Sequence, residues 1–183
     1  RGAHDMVAAL VAMGHRRILH ISGLRGLLGA ERRVAGYRRA LAEASLPTDP
    51  NLIVASNFSS ADARIKTLAW LDHRGSGELP DAIFCGNDAA ALGCMEALAS
   101  RGIRVPADVS VCGFDDSIAA RTTVPQLATV CQPLRAMGEK AVEVLMKRIE
   151  SMHAGSVDST LSPVVFDTTV VLRGSVAERP FTA

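Results

Sequence analysis

Aromatic side chains are scarce: they make up 4% of the 183 residues, against 48% for hydrophobic residues of all kinds. A core must therefore be built from aliphatic side chains. An excess of charge is missing too. Twenty Lys and Arg against nineteen Asp and Glu leave a formal net charge of +1. That balance provides no electrostatic footprint for nucleic acid and no acidic tail. Cys85, Cys94, Cys112 and Cys131 have no CxxC spacing and no histidine cluster around them, so the common zinc sites are not expected. They read as small buried hydrophobes in a reducing compartment. No apolar run approaches the roughly 18 residues of a membrane span, and no signal-peptide core is visible. The chain opens at Arg1-Gly2-Ala3, inside what reads as a helix, so the missing leader carries no weight.

What is present alternates between strand and helix. Met6, Val7, Leu10 and Val11 mark an amphipathic helix ending at Gly14. Ile18 to Ser22 is a strand, followed by a turn with Gly23, Gly26 and Gly29. The next helix carries Val34, Tyr37, Leu41 and Ala44 as its stripe. Leu52 to Ala55 is a second strand. Ser59 or Ser60 then caps a helix holding Ile65, Leu68 and Leu71, and 73–78 reads as a loop.

The stretch from Pro80 to Asp116 is the most informative. Ala82 to Cys85 and Val109 to Phe114 are short apolar runs of the kind buried in a parallel sheet. A helix with Leu92, Met95, Leu98 and Ala99 on one face lies between them. Each run ends at small polar groups, Asn87 and Asp88 after the first and Asp115 and Asp116 after the second. Ligands of open α/β sheets bind beyond the carboxyl ends of the strands, so these clusters read as one wall of a small-molecule site. A short strand follows around Ala128 to Cys131, then a helix over 134–150, then an extended segment from Val164 to Val171. The order predicts a doubly wound, mostly parallel sheet flanked by helices in three α/β/α layers. The 134–150 helix is apolar over a broad arc and has no obvious partner within this unit.

The segments RRVAGYRRAL (Arg32 to Leu41), Pro80 to Asp116, VPQLATVCQP (Val124 to Pro133), GEKAVEVLMKRI (Gly138 to Ile149) and VVLRGSV span nearly the whole chain. In that order and spacing, the chain resembles the effector-binding region of the lactose-repressor/galactose-repressor family of bacterial transcription regulators. The resemblance implies a periplasmic-binding-protein-like fold, of which residues 1–183 are a single C-terminal lobe. It implies that the 134–150 helix packs on an N-terminal lobe, and that a helix-turn-helix upstream supplies all DNA contact. It also implies a homodimer and a cytoplasmic location, with no cofactor and no membrane partner.

On the resemblance, Arg33 matches the family's effector-contacting arginine, ahead of Ala35-Gly36-Tyr37. Its alternative is a solvated helix arginine. Asp115 reads as a carboxylate for ligand hydroxyl or N–H groups, and Asp116 as structural. One of Asn87 and Asp88 caps the following helix, and Asn87 matches a ligand-contacting position. Phe58 either stacks on the effector or fills the edge of the core. Gln132 is an amide contact or a hinge residue. Leu92, Met95 and Ala99, with Thr123, match the family's dimer surface, ordinary packing being the alternative. Leu27, Leu28 and Gly29 depart from the family's polar pattern and point to a less polar effector. The histidines are scattered, with no carboxylate spacing for catalysis.

Two further readings stay open. A periplasmic sugar-binding protein would share the fold. A nucleotide-dependent enzyme would use the glycine turn, but Gly23, Gly26 and Gly29 give GxxGxxG rather than GxGxxG, and the second strand ends without a ribose-binding acid.

Overall fold

The computed structural model describes residues 1–73, 77–153 and 163–180; half of the expected 73–78 loop, residues 74–76, lies outside them. The elements are α1 (Gly2–Ala12), β1 (Ile18–Ser22), α2 (Leu28–Glu43), β2 (Ile53–Ala55), α3 (Ser60–His73), β3 (Ala82–Cys85), α4 (Asp88–Ser100), β4 (Ser110–Cys112), α5 (Ile118–Thr122), β5 (Thr129–Cys131), α6 (Leu134–His153) and β6 (Thr169–Val171). A short 3₁₀ turn, Pro50–Leu52, leads into β2.

Four parallel strands pair in the order β2-β1-β3-β4. Bridges from Cys112 to Ala128 and from Asp115 to Cys131 bring β5 alongside β4 in the same direction. β6 then pairs antiparallel with β5. The expected sheet is therefore present, with one difference. The final segment forms only three strand residues, and they run against the others.

The two central strands, ILHIS and AIFC, are buried at every position. Side chains alternate between faces of a strand, so each strand feeds two cores. Ile18 and Phe84 pack with Met6, Leu10, Tyr37 and Leu41 from α1 and α2. Leu19, Ile21, Ile83 and Cys85 pack with Ala63, Leu71, Cys94 and Leu98 from α3 and α4. Small residues replace rings in the second layer. A Cβ on Gly93 would fall 2.0 Å from the Ser60 carbonyl oxygen, so α3 and α4 pass almost backbone to backbone.

The buried faces of two helices differ in part from the expected stripes. Ile65 is 60% exposed, and the inner face of α3 is Ala63, Thr67 and Leu71. Leu98 lies in the core with Met95 packed half-buried against it, leaving Leu92 half-buried and Ala99 exposed at the outer flank of α4. α6 buries none of its residues, and Leu134, Val142, Leu145, Met146 and Met152 are all more than half exposed.

Candidate functional site

The carboxyl ends of β1, β3 and β4, the β2–α3 loop and the segment after β5 come together. Phe58 lies where the chain leaves β2, with φ 71°. Its ring rests on the ends of β1 and β3: a Cβ on Gly23 would fall 1.8 Å from its Cζ, and one on Gly86 3.0 Å from its Cε1. Only glycine admits the ring at Gly23. The loop holds itself in place, since Asn57 Oδ1 accepts from the Ser59 amide and Asp62 Oδ2 from the Asn57 amide.

Asn87 is the N-cap of α4. Its Oδ1 accepts from the Ala90 amide at 2.9 Å, satisfying one of the helix's free donors. Its Nδ2 donates to the Phe58 carbonyl at 3.0 Å. The amide thus ties the ring to the helix, and both its polar atoms already have partners. Asp88 is buried at 2% exposure and plays a different part. Its Oδ2 accepts from the Ser117 amide at 2.7 Å and its Oδ1 from the Thr129 hydroxyl at 2.6 Å. It pins the turn after β4 and the start of β5 to the head of α4.

That turn carries Asp115 and Asp116, both with positive φ (117° and 56°). Such conformations cost non-glycine residues free energy and cluster at functional sites. Asp115 accepts from Gln132 Nε2 at 2.6 Å, and Arg33 Nη2 lies 3.7 Å from the same oxygen. The Arg33 guanidinium lies over the Phe114 ring at 4.1 Å and near Phe58 at 5.6 Å. Planar stacking of this kind suits arginine and leaves its edge donors free. Arg33 makes no hydrogen bond among the described residues, although only 18% of its side chain is exposed. Burial lowers the guanidinium pKa against the pull of Asp115, and burial raises that of Asp115 despite Gln132 and Arg33.

Asp116 is closed. It pairs with Arg173 at 2.5 Å and Arg121 at 2.7 Å. Burial acts to raise its pKa, but the hydrogen bonds and charges of the two arginines outweigh that and hold it below the usual carboxylate value. On the inner side of the sheet, His20 stacks between Phe84 (4.7 Å) and Tyr37 (5.2 Å) and donates from Nδ1 to the Phe84 carbonyl. Burial lowers its pKa to about 4, so the ring is neutral near pH 7.

The structure therefore joins all five expected contacts, Arg33, Phe58, Asn87, Asp115 and Gln132, in one chain of interactions. Sequence reasoning missed Phe114 as the arginine's platform, Gly23 and Gly86 as the seat of Phe58, and Arg173 as the partner of Asp116. Only the position of Phe114 directly before Asp115 was a signal. Leu92, Met95, Ala99 and Thr123 line a separate groove of about 620 Å³, with Val105, Val124 and Pro125. Another groove, about 530 Å³, runs between α2 and β2 and shares none of the five contacts. Among the described residues no group of three or more His, Cys, Asp or Glu could hold a metal ion, and no helix is long and apolar enough to cross a membrane.

Residues 7–176 match the periplasmic binding protein-like domain. The ribose operon repressor of Haemophilus influenzae is 34% identical over 175 residues, covering 96% of this chain and 50% of that protein. Among solved structures, the complex of the transcriptional regulator CelR with cellobiose superposes with a TM-score of 0.84 at 31% identity, covering 95% of this chain and 51% of that one. The lac repressor dimer bound to operator and the anti-inducer ONPF gives 0.83 at 26%, covering 96% and 57%. The chain spans about half the length of the curated relatives it matches.

Proposed function

The chain belongs to the periplasmic binding protein-like domain family, in the form carried by lactose/galactose-repressor regulators, and from that premise we propose that it is the ligand-sensing lobe of a bacterial DNA-binding repressor. A small metabolite, a sugar or nucleobase, binds between this lobe and a second one. Arg33 and Asp115 supply donors and acceptor, Gln132 steadies Asp115, and Phe58 offers a ring face seated through Asn87. Ligand present in the cleft favours one lobe arrangement over the other by its difference in affinity for the two. A homodimer through Leu92, Met95, Ala99 and Thr123 carries that difference to DNA-binding heads encoded outside this chain, in the cytoplasm. The relatives compared are two repressors and a transcriptional regulator, and neither a nucleophile nor a cofactor enters this scheme.

One observation carries the reading: a largely enclosed arginine, fixed on an aromatic face, keeps its hydrogen-bond donors unused next to a half-buried carboxylate. The test is a thermal-shift screen of the full-length protein against sugars, nucleosides, small acids and NAD(H). Ligand at about 100 times its Kd adds about 2.7 kcal/mol, a shift of several degrees. A metabolite shift that Arg33→Ala abolishes, with the unliganded Tm kept, is the expected result. A shift by NAD(H) alone, indifferent to Arg33, would overturn it in favour of the enzyme alternative.

A further inference from the structure

The turn between β1 and α2 bears three leucines, Leu24, Leu27 and Leu28, with exposures of 51%, 47% and 60%. Solvated leucines crowded into one turn are unusual beside a polar site, because each forfeits the gain of leaving water. Leu27 and Leu28 run directly into Gly29, whose Cβ position lies 4.0 Å from Arg33 Nη1. The guanidinium thus reaches back to the first turn of α2, where Leu27 and Leu28 immediately precede Gly29 in the chain.

The polar end constrains the ligand in another way. Arg33 only donates and Asp115 only accepts, and their opposite charges lie 3.7 Å apart. An anionic ligand would meet the carboxylate and a cationic one the guanidinium, both in a partly desolvated place. A hydroxyl satisfies either group, so neighbouring hydroxyls of a neutral polyol satisfy both. Resting on the ligand-sensing reading above, we infer that the effector is a neutral amphiphile, a glycoside carrying an alkyl or aryl group, and that Leu27 and Leu28 select its apolar part.

The test is calorimetric titration of the full-length protein with matched methyl, hexyl and phenyl glycosides of glucose, galactose, xylose and ribose, alongside purine nucleosides. Binding by the hexyl or phenyl member at least about tenfold tighter than by its methyl counterpart is expected. The double variant Leu27→Ser/Leu28→Ser should reduce that preference to less than about twofold and leave the methyl glycoside's affinity in place. Because Leu27 is the N-cap of α2 and contributes no side-chain hydrogen bond there, serine should keep or raise the unliganded Tm. Equal affinity across a matched set, or tightest binding by a nucleoside, would overturn this inference while leaving the sensing reading intact. So would a double variant that melts several degrees lower with its preference unchanged, since the leucines would then be covered by another part of the protein. Binding by no member of either panel would overturn both.

Discussion

Asp115 and Asp116 are neighbours in sequence, share an uncommon backbone region, and have opposite surroundings. Two arginines within 2.7 Å close off Asp116. Asp115 has a single amide donor and an arginine held at 3.7 Å. Buried ion pairs persist when every partner is present, and removing one leaves an exposed cost. A carboxylate left half-satisfied costs stability in the free protein and becomes useful when something arrives to complete it. On the proposed reading the pair separates a structural charge from a binding one, and their pKa values move in opposite directions.

The sharpest break in that contrast is Arg173→Met, which takes a 14%-exposed partner from Asp116. It should destabilise the unliganded protein by about 3 kcal/mol, a fall in Tm of roughly 6 to 12 degrees, read by thermal and urea unfolding. Next is Gly23→Ala, which drives a methyl into the Phe58 ring. About 1 to 2 kcal/mol of stability should go, and effector affinity should weaken roughly tenfold as the ring moves. Smaller, and opposite in sign, is Asp115→Asn. Asparagine tolerates the positive φ and keeps an oxygen for Gln132, so Tm should rise by about a degree while effector binding falls about 10- to 100-fold. An Asn variant that melts clearly below the wild type would dissolve the distinction between the two carboxylates.

The smallest effect is the pH dependence of that last difference. The folded pKa of Asp115 lies above its unfolded value, so the native state holds the proton to higher pH. Its ionisation costs the fold stability as pH rises through that window. The Tm advantage of Asp115→Asn should therefore be complete near pH 7 and shrink as pH falls to about 4. Asp116 behaves in the reverse sense. Its contribution is present above the ordinary carboxylate pKa and is lost only as pH falls through its depressed value.

Periodicity and turn chemistry made the layers legible in the chain. ILHIS reads as a strand and AIFC as a strand buried on both faces, and both have the expected bounds. The phases of α3 and α4 were not legible, because both helices mix small and polar residues where they meet and the Gly93–Ser60 contact decides which side turns inward. At the site, the strand-end carboxylates and the cap have local signatures, whereas Arg33, Phe58 and Asn87 are named as contacts through the family resemblance. Relations among distant residues have no such signature. Nothing near Arg173 indicates that it closes Asp116, 57 positions away, and nothing near Gly23 announces a ring from another loop. The division of labour between Asn87 and Asp88 also needed three dimensions, since either side chain suits a helix start.

α4 begins at the site and shows its flank at the groove of Leu92, Met95 and Ala99. It is 13 residues long, a strut of about 20 Å without proline, and its one glycine, Gly93, is wedged against the Ser60 backbone of α3. Its head is bolted twice, by Asn87 to the loop of Phe58 and by Asp88 to the turn of Asp115. Torque applied at that head cannot be absorbed along the shaft. On the sensing reading, whatever the strut's flank leans against follows the position of one phenyl ring.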